Sequence, residues 1–204
     1  MSHDHNHAPT DFGKAFLVGI VLNTIFIICE IFYGLKANSL ALLADAGHNA
    51  SDVVGLFVAW VATILAKKKS TENFTYGLQS ATIVAALINA VLLVAAALGI
   101  MFEATQRLTH ENSQHLASTT VIYVATIGIF VNGITAWFFM RGSSKDLNIR
   151  GAFLHMAADA LVSLGVVISG IIIFKTGALF VDPITSLLIA IIILVGTWGL
   201  LKDS

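Results

Sequence analysis

The chain has 204 residues, 57% hydrophobic and only 11% charged, with a formal net charge of -1 at pH 7 and a mean hydropathy of +0.87. A soluble domain carries about 25% charged residues, so a water-soluble enzyme and a disordered chain are excluded. A balance of 11 basic against 12 acidic residues excludes a nucleic-acid binder as well, which leaves an integral membrane protein.

The first eleven residues are polar and hold His3, Asp4, His5 and His7. They read as a flexible, weakly binding cytosolic tail rather than a metal-capturing site, because no fixed geometry holds the histidines. The apolar run that follows is too long for a cleavable signal core. Six stretches are long enough to cross a bilayer, which takes about 20 apolar residues: 12–34, 38–66, 80–106, 116–140, 148–174 and 178–201. They are continuously apolar rather than alternating, so helices are expected and barrel strands are not. The connections are short and polar: Lys36 to Ser39, Lys67 to Asn73 and on to Gly77, Thr109 to Gln114, Arg141 to Asp146, and Lys175 to Gly177. None is long enough to set off a second folded domain. The expected architecture is an all-α membrane protein, a six-transmembrane-helix bundle over 12–204 with a His-rich tail over 1–11. The single cysteine, Cys29, lies within an apolar run and reads as a small core residue.

Lys and Arg set the orientation. With the N-terminus in the cytosol, Lys14, Lys67, Lys68, Lys69, Arg141, Lys145, Arg150 and Lys202 fall on the cytosolic side, against Lys36, Arg107 and Lys175 on the other. Both termini are therefore expected in the cytosol. Trp60, Trp137 and Trp198 fall near the cytosolic ends of their spans, as interfacial anchors.

The informative residues are the ionisable ones inside the spans, since a charge at mid-bilayer costs about 2.5–3.5 kcal/mol on insertion scales. Span two carries Asp45, His48 and Asp52; span five carries His155 and Asp159. Each His-x-x-x-Asp pair lies on one helix face. The two spans run antiparallel, so their faces could meet. Two neutral imidazoles and two carboxylates make a tetrahedral set for zinc and cancel its charge. Metal binding needs deprotonated ligands, so metal and protons should compete. With four ligands already supplied, Asp45 could support the site from behind, line its access path or be a polar residue near the outer helix end. Glu30 in span one could carry protons or make a hydrogen bond. Glu103, near the outer end of span three, should snorkel or pair with Arg107, four residues on. Asn89 and Asn132 should hydrogen-bond between helices.

These segments resemble the cation diffusion facilitator family of metal–proton antiporters, its zinc-transporting members in particular. The resemblance rests on Ser39-Leu40-Ala41-Leu42-Leu43-Ala44-Asp45-Ala46-Gly47-His48 with Asp52, Phe74-Thr75-Tyr76-Gly77, Ala85 to Ala90, Leu147 to His155 with Asp159, and Asp182-Pro183. It covers nearly the whole chain after residue 11. It implies that His48, Asp52, His155 and Asp159 hold the metal, that metal enters from the cytosol by alternating access, that protons move inward, and that the chain is a homodimer. His at position 48 resembles zinc-preferring members; manganese-type relatives tend to have Asp there. Two departures are visible. Gln79 and Ala81 stand where many relatives have Arg-x-Glu, and the chain ends at Lys202-Asp203-Ser204, where most members continue into a soluble metal-binding domain.

The expected function is export of zinc for protons across a bacterial inner membrane, with zinc as transported substrate and no cofactor. Cadmium, cobalt or iron are alternatives by the same mechanism. An intramembrane metalloenzyme is a weaker one, because four protein ligands leave no open position for water and no His-Glu-x-x-His is present.

Overall fold

The computed structural model describes residues 13–66, 75–109, 116–140 and 147–203, with side chains over 17–57, 87–109, 116–140 and 149–198. The N-terminal tail, most of three connections and the side chain of Trp60 lie outside the described residues. Six helices follow in chain order: α1 Gly13–Ala37, α2 Leu40–Ala66, α3 Thr75–Thr109, α4 Ser118–Met140, α5 Leu147–Thr176 and α6 Val181–Asp203. All six expected helices are present. Among the described residues, five of them are long and apolar enough to cross a membrane by length and composition. α2 carries Asp45, His48, Asn49, Ser51 and Asp52 in its first half and a mostly apolar run over 53–66 in its second.

Helix ends differ from the apolar stretches for local reasons. α3 takes in Tyr76 and Gly77, which were expected in the connection, because the helix outruns its apolar segment. α5 starts at Leu147, ahead of Arg150. That start places His155 about 12 Å along the axis from the helix end. α1 stops at a left-handed Asn38, with φ of 57°. Ser39 N donates to Gly34 O at 3.0 Å and Asn38 N to Leu35 O at 3.3 Å, the paired bonds of a Schellman ending. α5 ends likewise at Gly177, φ 70°, whose N donates to Ile173 O at 2.8 Å.

α2 is the central element, packed against α1, α3, α5 and α6, while α4 pairs with α1 and α5. Two apolar clusters divide the interior. The larger joins Phe26, Leu42, Ala44, Leu93, Val121, Val166 and Ile189; the smaller joins Leu56, Ala136, Phe139, Ile149 and Met156. α2 passes from the larger to the smaller and α5 from the smaller to the larger, so the two are antiparallel. Between the clusters lies a polar layer of buried Asn23, Asp45, Asn49, Asp52, Asn132, Thr135, Asp159 and Ser163. Cys29 is exposed on the outer face of α1, not in the core as expected, because Asn23, Phe26, Ile27 and Glu30 take the inward stripe.

Candidate metal centre

The polar layer converges on the pairs from α2 and α5. Ligand atoms of His48, Asp52 and Asp159 lie within 4.8 Å of one another. His48 Nε2 is 3.3 Å from Asp159 Oδ1, and His48 Nδ1 is 3.7 Å from Asp52 Oδ2. His155 Nε2 is 2.6 Å from Asp52 Oδ1, and the two imidazole rings stand 6.1 Å apart at 76°. The structure thus gathers all four residues of the two His-x-x-x-Asp pairs. His155 stands at the rim at 44% exposure, while Asp159 is 1% exposed.

The chemistry of the donor set fits a divalent cation. Asp52 Oδ2 and both Asp159 oxygens are buried with no hydrogen-bond partner among the described residues. Buried carboxylate oxygens without donors are costly, and a cation relieves that cost. Tetrahedral zinc at about 2.0–2.1 Å from each ligand sets neighbouring ligand atoms roughly 3.3 Å apart. The His48–Asp159 pair already has that spacing; His155, 2.6 Å from Asp52, stands outside the group of three whose ligand atoms lie within 4.8 Å.

Asp45 and Glu30 lie behind this set. Asp45 Oδ2 accepts from Ser163 Oγ at 3.1 Å, and Glu30 Oε2 accepts from Asn49 Nδ2 at 2.9 Å. Neither Ser163 nor Asn49 was singled out from the sequence. The signal was available for Ser163, which sits four residues after Asp159 on the same face of α5.

Asp182 is the other residue whose role emerges only in three dimensions. From the start of α6 its carboxylate caps α2, accepting from Ser39 Oγ at 2.6 Å, Leu40 N at 2.8 Å and Ala41 N at 3.4 Å. Ser39 Oγ in turn accepts from Leu42 N at 3.2 Å. Arg107 fixes the same end: it donates to Asn38 O and Oδ1, each at 2.8 Å, and to Glu103 Oε1 at 3.2 Å as expected. Asn89 bridges α3 to α2 through Ser51 at 3.1 Å, also as expected. Asn132 departs from expectation, since both its amide atoms are buried without a partner among the described residues.

The cation efflux transmembrane domain family matches residues 16–204. The whole chain is 39% identical to 65% of the cadmium, cobalt and zinc/H(+)-K(+) antiporter of Bacillus velezensis. It is 37% identical over its whole length to 63% of the zinc transporter ZitB of Pectobacterium atrosepticum. Over 99% of its length it is 36% identical to 63% of the metal cation efflux system protein CzcD of Cupriavidus metallidurans. The chain therefore spans just under two thirds of the length of these relatives.

Proposed function

We infer, from the premise that this chain belongs to the cation efflux or cation diffusion facilitator family, that it exports divalent metal from the cytosol in exchange for protons, with zinc the favoured ion. The observation that carries this reading is the meeting of two His/Asp pairs from α2 and α5 around buried carboxylates whose nearest polar neighbours are each other's imidazoles. His48, Asp52, His155 and Asp159 are the four ligands, and their two negative charges offset those of Zn²⁺ where buried charge is costly. Protonating the histidines or carboxylates removes ligands, so proton uptake on one side favours release of metal there. Alternating access follows if α2 and α5 shift together against their neighbours. The reading places both termini in the cytosol, the tail over 1–11 beside the cytosolic face, and a homodimer in a bacterial inner membrane, the last two resting on the family.

Cadmium and cobalt form a second reading of the same site, supported by the printed name of the Bacillus velezensis relative. Catalysis is disfavoured, since four protein ligands leave zinc no position for a reacting water. Zinc flux into proteoliposomes tests the exchange. Flux driven by an imposed pH gradient, and proton movement driven by an imposed zinc gradient, support it. Zinc flux indifferent to pH and unaccompanied by protons marks a channel and contradicts it.

A further inference from the structure

Glu30 on α1 is fully buried although it is not among the four proposed ligands, and Asp45 on α2 is equally buried. The two carboxyl groups are within hydrogen-bonding reach of each other. Each has one oxygen satisfied by a neutral donor, Asn49 for Glu30 and Ser163 for Asp45. The remaining oxygens, Glu30 Oε1 and Asp45 Oδ1, are buried without a hydrogen-bond partner among the described residues. One hydrogen placed between them satisfies both. Two ionised carboxylates cannot share a dry site, so such a pair keeps a proton.

The geometry points to Glu30 and Asp45 as a proton-binding site separate from the metal ligands, holding one shared proton that zinc binding displaces. Glu30 is the acid of the pair and Asp45 its carboxylate partner, because Asp45 has His48 a turn away on its own helix as well as the Ser163 hydroxyl. The titratable groups around the pair are Cys29 beside Glu30 on α1, His48 on α2 and Asp159 on α5. α4, packed on α1, brings no acidic or basic residue. Asp182 on α6 is engaged at the N-terminus of α2, and Glu103 and Arg107 of α3 are engaged with each other.

Coupling follows from position. Asp45 lies three residues from His48, about 4.5 Å along the helix axis, and Ser163 joins it to α5 one turn from Asp159. A doubly charged cation on the ligands raises the local potential and favours loss of the shared proton. When the cation leaves, the two carboxylates face each other again and take one proton back. No covalent bond other than O–H is made or broken, and the proton exchanges with water. The pair lies toward the Leu40 end of α2, which is the outer end in the proposed orientation, the side from which protons arrive. The inference rests on the zinc–proton exchange proposed for the chain.

The test counts protons. Zinc is added to the purified chain in weakly buffered detergent and released protons are read with a pH dye, alongside the zinc stoichiometry. Glu30→Gln and Asp45→Asn should each bind zinc with unchanged stoichiometry yet release about one proton fewer per zinc than the native chain. Either amide donates to the remaining carboxylate, which favours folding of the variants. A folded variant that releases as many protons as the native chain overturns the inference. The native chain supplies a second readout in its infrared spectrum. Zinc should remove a C=O band of a protonated carboxyl that shifts when glutamate is labelled with ¹³C; no such band, or one the label leaves in place, also overturns it. The two proposals fail differently. A native chain that binds zinc and releases the extra proton but drives no flux defeats the exchange and leaves the proton site standing. A native chain that binds no zinc defeats both.

Discussion

At the scale of single residues, burial and hydrogen bonding separate groups with work to do from groups that only pack. Asp159 has two buried oxygens, one of them 3.3 Å from His48 Nε2, and neither has a further partner among the described residues, which suits the proposed role of its carboxylate as a ligand. Asp159→Ala should lower zinc affinity at least about tenfold while leaving the thermal midpoint of the metal-free chain unchanged or raised, because a buried carboxylate with one imidazole as its neighbour is removed. Calorimetric titration and a melting curve on the same sample check both. Asn132 presents the same accounting without ligand chemistry around it. Replacing an unpartnered buried amide with an apolar side chain of similar size removes a desolvation cost of about 1–3 kcal/mol. Asn132→Leu should therefore melt no lower than the native chain, and a fall would show that the amide has an essential partner.

The four clustered residues were legible in the sequence because i, i+4 spacing puts His and Asp on one helix face whatever the tertiary structure. Asp182 was legible only as part of a family pattern. Its partners Ser39, Leu40 and Ala41 lie more than 140 residues away, and no periodicity encodes such a pairing. Cys29 was misplaced for a related reason: in a membrane span both faces are apolar, so composition does not say which one is inside.

At the scale of helices, the ends and crossings set where the ligands stand. α2 carries its polar residues in its first half, and its N-terminus is held by Asp182. Asp182→Ala leaves Leu40 N, Ala41 N and the Ser39 hydroxyl without their acceptor. The expected loss is about 2 kcal/mol, read as a lower thermal midpoint in detergent. A midpoint equal to the native one would show that the cap is dispensable. The α1–α4–α5 crossing is equally tight at Gly128. A Cβ there would stand 2.6 Å from Phe26 Cζ and 3.0 Å from Ser163 Oγ, the hydroxyl that serves Asp45. Gly128→Ala should destabilise the bundle by about 1–3 kcal/mol through overpacking. Phe26→Leu in the same chain should recover part of that loss by vacating the space, which a pair of melting curves would show. Helix existence was readable from run length alone. Helix ends were not, because α3 continues past its apolar segment and capping at Asn38 and Gly177 depends on backbone conformation rather than hydropathy.

At the scale of the whole molecule, two apolar clusters hold a polar layer between them, and that layer contains both carboxylates of the proposed site, with His48 partly exposed beside them and His155 at the rim. The arrangement suits a transporter. The clusters supply apolar packing, and the polar layer between them supplies the groups that could hold an ion. Competition between metal and protons for the same ligands predicts that zinc affinity falls as the pH is lowered and recovers as it is raised, which titrations at a series of pH values would check; affinity independent of pH would contradict exchange at these ligands. The most direct measurement is zinc flux in proteoliposomes under an imposed pH gradient, comparing the native chain with Asp159→Ala. The account predicts flux that follows the gradient in the native chain and vanishes in the folded variant. Undiminished, gradient-driven flux in Asp159→Ala would contradict the assignment of the metal path to the His/Asp pairs of α2 and α5.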